Sequence, residues 1–357
     1  MQRPLYFPAI DGLRLLAFLL VFFRHFKIAV PFPFLRETGW IGVELFFLIS
    51  GFLLTKLLRE EYIQQGTIQI KQFFARRALR VWPLYFFYLL VISLYAIKVG
   101  PHYFFPDRLI GNFLFYDNII SAIELYNPNS FTIHLWSISM EEQYYLLLPF
   151  AIPWLLSLDQ KKLIRFFLFA YLIILAARLI AFVYKTPDPF IYVLPISGDC
   201  FLLGMMLGIG LFDNIIHRFR SLPTFVISVL LLSTIYFLPA REVQGFHNVY
   251  VYSIIAVAFA LLLISVIHQP NKLLEFIFAN KLSRYLGKIS YGLYIYHIIS
   301  IYGAGRICDK LGIAAQLHQL WLSLFLTVIL SVLSYEFFEK FFLRYKYKFT
   351  VITSRLP

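Results

Sequence analysis

The chain has 357 residues, 60% of them hydrophobic and only 14% charged, with 40 phenylalanines, 24 tyrosines, a mean hydropathy of +0.74 and a formal net charge of +13. A soluble domain is nearer half apolar and roughly a quarter charged, so this composition argues against a water-soluble core. The apolar residues come in blocks of roughly 17–25, the length that carries a helix across about 30 Å of hydrocarbon, and not in the short alternating segments of a β-barrel.

In chain order, these blocks predict an all-α polytopic membrane protein, a bundle of about ten transmembrane helices. They lie at roughly 13–33, 40–58, 81–99, 142–157, 164–184, 191–212, 223–239, 249–267, 287–306 and 320–342. Basic residues stand at the ends of alternate blocks: Lys56, Arg59, Lys71, Arg76, Arg77 and Arg80 after the second, Lys161, Lys162 and Arg165 after the fourth. Arg218 and Arg220 follow the sixth block, Lys272, Lys281, Arg284 and Lys288 the eighth, and Lys340, Arg344, Lys346, Lys348 and Arg355 the last. The intervening connections carry scattered basic residues such as Arg36, Arg108, Lys185, Arg241 and Lys310. By the positive-inside rule both termini are cytoplasmic, and the positive charge marks cytoplasmic loops rather than a nucleic-acid partner. The connection at 100–141, with Phe104, Phe105, Leu109, Ile110, Phe113 and Phe115, is apolar enough to be a surface or re-entrant segment packed on the bundle. No cleavable signal peptide, internal repeat or second domain is evident, so residues 1–357 read as a single membrane domain with no soluble extracytoplasmic extension. Cys200 and Cys308 have no metal-ligand or disulfide-framework spacing, and no metal site is expected.

An ionisable group at membrane depth costs several kcal/mol and is a functional candidate by default. Arg14 and His25 are eleven residues apart, which puts them within about 20° on one helical face and roughly 16 Å apart along the axis. A snorkelling arginine and a carbonyl-bonded histidine would share that spacing. The run His134-Leu-Trp136-Ser137-Ile-Ser139-Met-Glu141-Glu142-Gln143-Tyr144 sets Ser137 and Glu141 at i and i+4 on one face, although helix capping alone explains part of it. Arg76, Arg77 and Arg80 serve as orientation markers or as a phosphate clamp, because the arginine fork matches phosphate oxygens. His297, in Ser290-Tyr291-Gly292-Leu-Tyr294-Ile-Tyr296-His297, reads more readily as a buried structural histidine. Asp199, before the small-residue run Gly204 to Gly208, reads more readily as an interhelical hydrogen-bond partner.

These blocks together resemble the acyltransferase-3 family, membrane enzymes that move acyl groups from acyl-coenzyme A to cell-surface glycans and related acceptors. The matching residues are Asp11-Gly12-Leu13-Arg14 with His25, Gly42-Val43-Glu44 through Phe52, and Phe74 through Tyr85. Trp136 through Tyr145, Tyr291 through His297, and Tyr335-Glu336 through Lys340 complete them, so the resemblance spans essentially the whole chain. It implies a catalytic His25, an essential Arg14, a donor-engaging pair in Arg77 and Arg80, and a serine–glutamate pair in Ser137 and Glu141. Asp11, Glu44, His134, Trp136, Asp199 and His297 stand as supporting residues. Glu44 departs from the family's usual aspartate, and the soluble esterase-like domain of some members is lacking here. Transfer therefore either finishes on this chain or passes to a separate extracytoplasmic transferase.

The resemblance implies acyl-coenzyme A, most simply acetyl-coenzyme A, as co-substrate with no bound cofactor. The acceptor would be a hydroxyl of a polysaccharide or lipid-linked glycan, at the cytoplasmic (inner) membrane. The pantetheine arm is roughly as long as the Arg14-to-His25 separation. His25 would act as general base or form a short-lived acyl adduct, and Glu141 would fix its tautomer as the third group of a triad does. A secondary transporter of an organic anion would use similar groups, although paired broken helices and internal symmetry are not visible.

Overall fold

The computed structural model describes residues 5–26, 33–99, 106–123, 131–184, 197–239, 243, 245–269, 271–313 and 315–352. All regular structure among the described residues is helical. Each predicted block contains a helix: α1 Pro8–His25, α2 Ile41–Gln65, α3 Ile70–Val99, α4 Trp136–Ser157, α5 Gln160–Val183, α6 Asp199–Ile209, α7 Ser221–Thr234, α8 His247–Ile267, α9 Ser290–Lys310 and α10 Gln316–Ser334. Short helices fill some connections, at Pro106–Phe113, Asp117–Ile123, Lys272–Phe278 and Lys281–Lys288 among others.

Several helices begin earlier than predicted. α1 starts at Pro8, five residues early, because proline at the first helical position has its φ preset and its missing N–H is not needed there. α3 begins at Ile70 and α4 at Trp136, so Arg76, Arg77, Arg80, Ser137 and Glu141 lie inside helices. Hydropathy finds the apolar middle of a helix and not its polar ends, whereas arginine and glutamate are good helix formers. The predicted stretches 27–32 and 191–196, with Phe104, Phe105, Lys185, Arg241 and Arg355, lie outside the described residues.

Among the described residues, five helices are long and apolar enough to cross a membrane: α2, α3 over Ile70–Tyr95, α5, α8, and the run Gln316–Phe349 that includes α10. α6 and the Ser221–Phe237 run are apolar but shorter. α1, α4 and α9 fall outside this set, and they are the helices that carry the ionisable groups singled out above. α2 and α8 are largely buried, while α5 turns Leu168, Phe169 and Leu172 outward and α10 turns out Trp321 and Phe325. That is the pattern of an inner bundle with lipid-facing helices around it.

α2 and α6 pack through small residues. A Cβ on Gly204 would collide with the Leu48 carbonyl oxygen, and one on Gly208 would come within 2.6 Å of the Phe52 carbonyl oxygen. The two backbones can approach only because these positions lack side chains, which is how helices associate where lipid is as apolar as leucine. After α10, one π-turn at Tyr335–Glu339 rotates the chain before a last helix, Lys340–Lys346. Such bulges re-aim side chains locally, and this one buries Glu339 beside Arg80.

Candidate active site

Two groups of polar residues meet in the interior. The first is a cluster of imidazoles contributed by α1, α9 and the turn before α4. His25, the last residue of α1, is half-buried, and its Nδ1 lies 3.0 Å from the Val21 carbonyl oxygen and 3.2 Å from Nε2 of His297. His297 is fully buried, with Nδ1 2.6 Å from the Tyr294 carbonyl oxygen. His134 stands edge-on to His297, with ring centroids 4.9 Å apart, and 5.3 Å from the Tyr294 ring. Neither ring nitrogen of His134 has a hydrogen-bond partner among the described residues.

Hydroxyl groups join this cluster to α4. The Tyr294 hydroxyl donates to the His134 carbonyl oxygen at 2.8 Å and lies 2.7 Å from Ser137 Oγ. Trp136 opens α4 and packs edge-on against Phe47 of α2, fixing the helix start beside the imidazoles. Among the described residues, no group of three or more His, Cys, Asp or Glu side chains could hold a metal ion.

The second group lines a cavity of about 420 Å³ between α1, α2, α3 and the C-terminal helix. Arg14, Arg76, Arg77, Arg80, Lys288, Lys340, Arg344 and Lys346 line it, against the two carboxylates of Asp11 and Glu61. Several of these cations are already tethered. Asp11 sits 3.5 Å from Arg14 and also accepts from the Tyr6 hydroxyl. Arg76 pairs with Glu61 at 3.0 Å and donates to the Phe349 carbonyl oxygen. Arg80 donates to the Lys288 carbonyl oxygen at 3.1 Å and lies 4.0 Å from Glu339. Arg77 differs: it makes no ion pair among the described residues, and its guanidinium lies 5.8 Å from the centroid of the Tyr145 ring.

Glu141 links the two groups, but not through the expected contact with His25. Its Oε1 accepts from Ser50 at 2.7 Å, and Ser50 itself lines the cavity; its Oε2 accepts from the Tyr145 hydroxyl at 2.9 Å. The reason is helical geometry. Glu141 lies one turn further along α4 than Ser137, about 6 Å nearer the arginines, on the face toward α2. The imidazole bonded to His25 is His297 instead. From the cavity, polar contacts run through Ser50 to Glu141; one turn back along α4, a second set joins Ser137 through Tyr294 to His297 and His25.

Glu44 and Asp199 belong elsewhere. Both flank Arg178, a buried residue of α5 that pairs with Asp199 through two nitrogens. Arg178 also donates to the Val249 carbonyl oxygen and lies 4.8 Å from the Tyr252 ring centroid, and Ser253 donates to Asp199 at 2.8 Å. Glu44 acts electrostatically on Arg178 and on Cys200. Asp199 is thus an interhelical partner, as its setting suggested. Arg178 itself escaped the sequence reading, although a lone arginine inside an apolar block is a signal that could have found it.

Arg108 is also more than a scattered loop residue. It is buried and donates two bonds to Asp117, at 2.9 Å each, and a third to Ser121. Burial pushes the Asp117 carboxyl above its ordinary range, against the opposing pull of Arg108. Gln143 of α4 donates to Asn118 at 2.8 Å and to the Phe115 carbonyl oxygen at 2.9 Å, so the 106–123 segment is fastened to the bundle as predicted.

Residues 7–336 match the acyltransferase-3 family, described as an acyltransferase domain. The O-acetyltransferase OatA of Staphylococcus aureus strain NCTC 8325 is 28% identical over 364 residues, covering 95% of this chain and 57% of the relative. A Staphylococcus aureus strain COL protein named a putative O-acetyltransferase is 27% identical over 362 residues, with the same coverage of each chain. The chain thus spans a little over half the length of these curated relatives. No solved structure matches it. Helices, site and family match agree, and the chain belongs to the acyltransferase-3 family of membrane acyltransferases.

Proposed function

We propose that this chain transfers an acyl group, most simply acetyl, from acyl-coenzyme A in the basic cavity to a hydroxyl presented near His25. The observation that carries the reading is the cavity, with eight cations against two carboxylates, and with the guanidinium groups of Arg77 and the exposed Arg344 making no ion pair among the described residues. A polyanionic nucleotide suits that wall, because arginine forks and phosphate oxygens make short, charge-assisted pairs. Arg77, which makes no ion pair among the described residues, and Arg14 would hold the phosphates, with Arg80 shaping the wall from its bond to the Lys288 carbonyl.

The thioester would then lie beyond Ser50, toward the imidazoles. His25 would take the acceptor proton as general base while the acyl carbon passes from sulfur to oxygen. The names of the curated relatives favour acetyl as the group carried. A polysaccharide or lipid-linked glycan reached from the outer side is the acceptor class proposed. A separate extracytoplasmic transferase is the partner proposed should transfer not finish on this chain.

The donor route requires the Arg14 end of α1 to face the cytoplasm. With about ten helices crossing the cytoplasmic membrane, both termini lie inside, as the basic loops indicate. Single cysteines placed beside Lys162 and Lys272 should then react only with reagents that enter the cell.

The test of function is acetyl-coenzyme A binding to the purified protein in detergent, paired with release of free coenzyme A. Saturable binding with slow thioester loss is the expected result. Transport of an organic anion without either would favour the transporter reading and overturn this one.

A further inference from the structure

The imidazole cluster contains bonds whose direction is fixed by chemistry. A carbonyl oxygen only accepts, so the 2.6 Å contact to the Tyr294 carbonyl requires the proton of neutral His297 on Nδ1. Its Nε2 is then an acceptor. The 3.0 Å contact to the Val21 carbonyl likewise requires a proton on His25 Nδ1, and that N–H also points at His297 Nε2, 3.2 Å away. A second proton on His297 would set two N–H groups against each other across that gap. Two carbonyls at fixed places in α1 and α9 thus select one tautomer for each ring, and the lone pair of His25 stands on Nε2.

We infer that His297 is the positioning residue for His25, holding it as the Nδ1–H tautomer so that Nε2 faces the reacting hydroxyl. The inference rests on the proposed role of His25 as base, and it gives His297 the place that a carboxylate holds in a serine-protease triad. In the transfer, His25 Nε2 takes the acceptor O–H proton as the new O–C bond forms and the C–S bond breaks. The departing thiolate then takes that proton back from Nε2, so acceptor plus thioester become ester plus thiol. While His25 is cationic, its Nδ1–H bond to His297 strengthens, and His297 accepts without itself being protonated.

Burial separates the two roles. His25 is half-buried and can meet a substrate, whereas His297 is fully buried behind it and walled by His134 and Phe18 at centroid distances of 4.9 and 6.4 Å. A neutral imidazole is a gentler orienting group than a carboxylate, and it adds no negative charge to a membrane interior where charge is costly.

The test compares His297→Leu, which fills the space without an acceptor, with His297→Gln, which restores a carbonyl oxygen near the position of Nε2. We expect His297→Leu to lower kcat by roughly 10²–10⁴-fold, as loss of the orienting group does in a triad, with KM for acetyl-coenzyme A unchanged. His297→Gln should recover about tenfold or more of that loss. Nitrogen-15 spectra of histidine-labelled full-length protein, with His25 assigned by its disappearance in His25→Gln, should show the Nδ1–H tautomer in wild type and a mixture in His297→Leu. A wild-type His25 in the Nε2–H form would overturn the inference. So would kcat in His297→Leu within about threefold of wild type while His25→Gln is inactive. Should His297→Leu fail to fold, the wild-type tautomer and the His297→Gln turnover still decide the matter. Full activity in His25→Gln would instead remove the base assignment, while the tautomer measurement still judges the placement by itself.

Discussion

Arg178 and Arg77 are both arginines of long apolar helices, and they show what distinguishes architecture from function inside a membrane. Arg178 is closed: Asp199 takes two of its nitrogens, the Val249 carbonyl takes a further bond, and the Tyr252 ring covers it. Nothing is left to offer a ligand. Arg77 is open: it lines a cavity, lies near one ring and has no carboxylate partner among the described residues. A buried ion pair that satisfies itself holds helices together, whereas a cation held apart from carboxylates is set to meet an anion from outside.

The comparison breaks most readily at Arg178. Arg178→Ala should cost about 3–5 kcal/mol of stability, because Asp199 is left buried with its charge uncompensated. Thermal unfolding in detergent reads this directly. The double variant Arg178→Leu with Asp199→Leu should recover most of the loss, since it removes both charges together. A single variant as stable as wild type would mean that the pair is not a strut.

A smaller effect of a different kind is expected at Arg77. Arg77→Ala should weaken acetyl-coenzyme A binding by about 1–3 kcal/mol, with little change in thermal stability. Arg77→Lys should recover only part of this, because the ammonium lacks the planar fork. Calorimetry of donor binding beside a melting curve separates the two quantities. Equal donor affinity in all three proteins would return Arg77 to an orientation marker.

The smallest effect belongs to the link between the regions. Tyr145→Phe removes one of the two hydrogen bonds on Glu141 and should lower stability by about 0.5–1.5 kcal/mol. A simultaneous Ser50→Ala change should exceed the sum of the singles, because Glu141 would then lose both donors while still half-buried. Strict additivity would show that Glu141 does not depend on the pair.

Much of this was legible in the sequence, and the remainder was not for definite reasons. Apolar blocks located the long helices among the described residues, five of them long and apolar enough to cross a membrane, because a span forces that composition on the chain. Some helix starts were displaced because polar first turns, such as the one carrying Asp11 and that carrying Ser137, look like loops to a hydropathy scan. Local spacing placed Ser137 and Glu141 on one face but could not say which neighbour that face meets; the answer is Ser50 of α2 and not His25. The contact between His25 and His297 joins positions 272 apart in the chain, and no periodicity reaches so far. Arg178 was legible in principle, as a single arginine within an apolar run, but its partner Asp199 lies on another helix, where local spacing does not reach.

The account's central claim is that the basic cavity holds the donor and His25 carries the chemistry. The most direct measurement is acetyl-coenzyme A binding and acetyl transfer to a glycan acceptor, made side by side on one preparation of His25→Gln. The account predicts wild-type donor affinity with transfer reduced by roughly 10²–10⁴-fold, as expected when a general base is removed. Full transfer by a properly inserted His25→Gln protein would contradict it and leave His25 a packing residue.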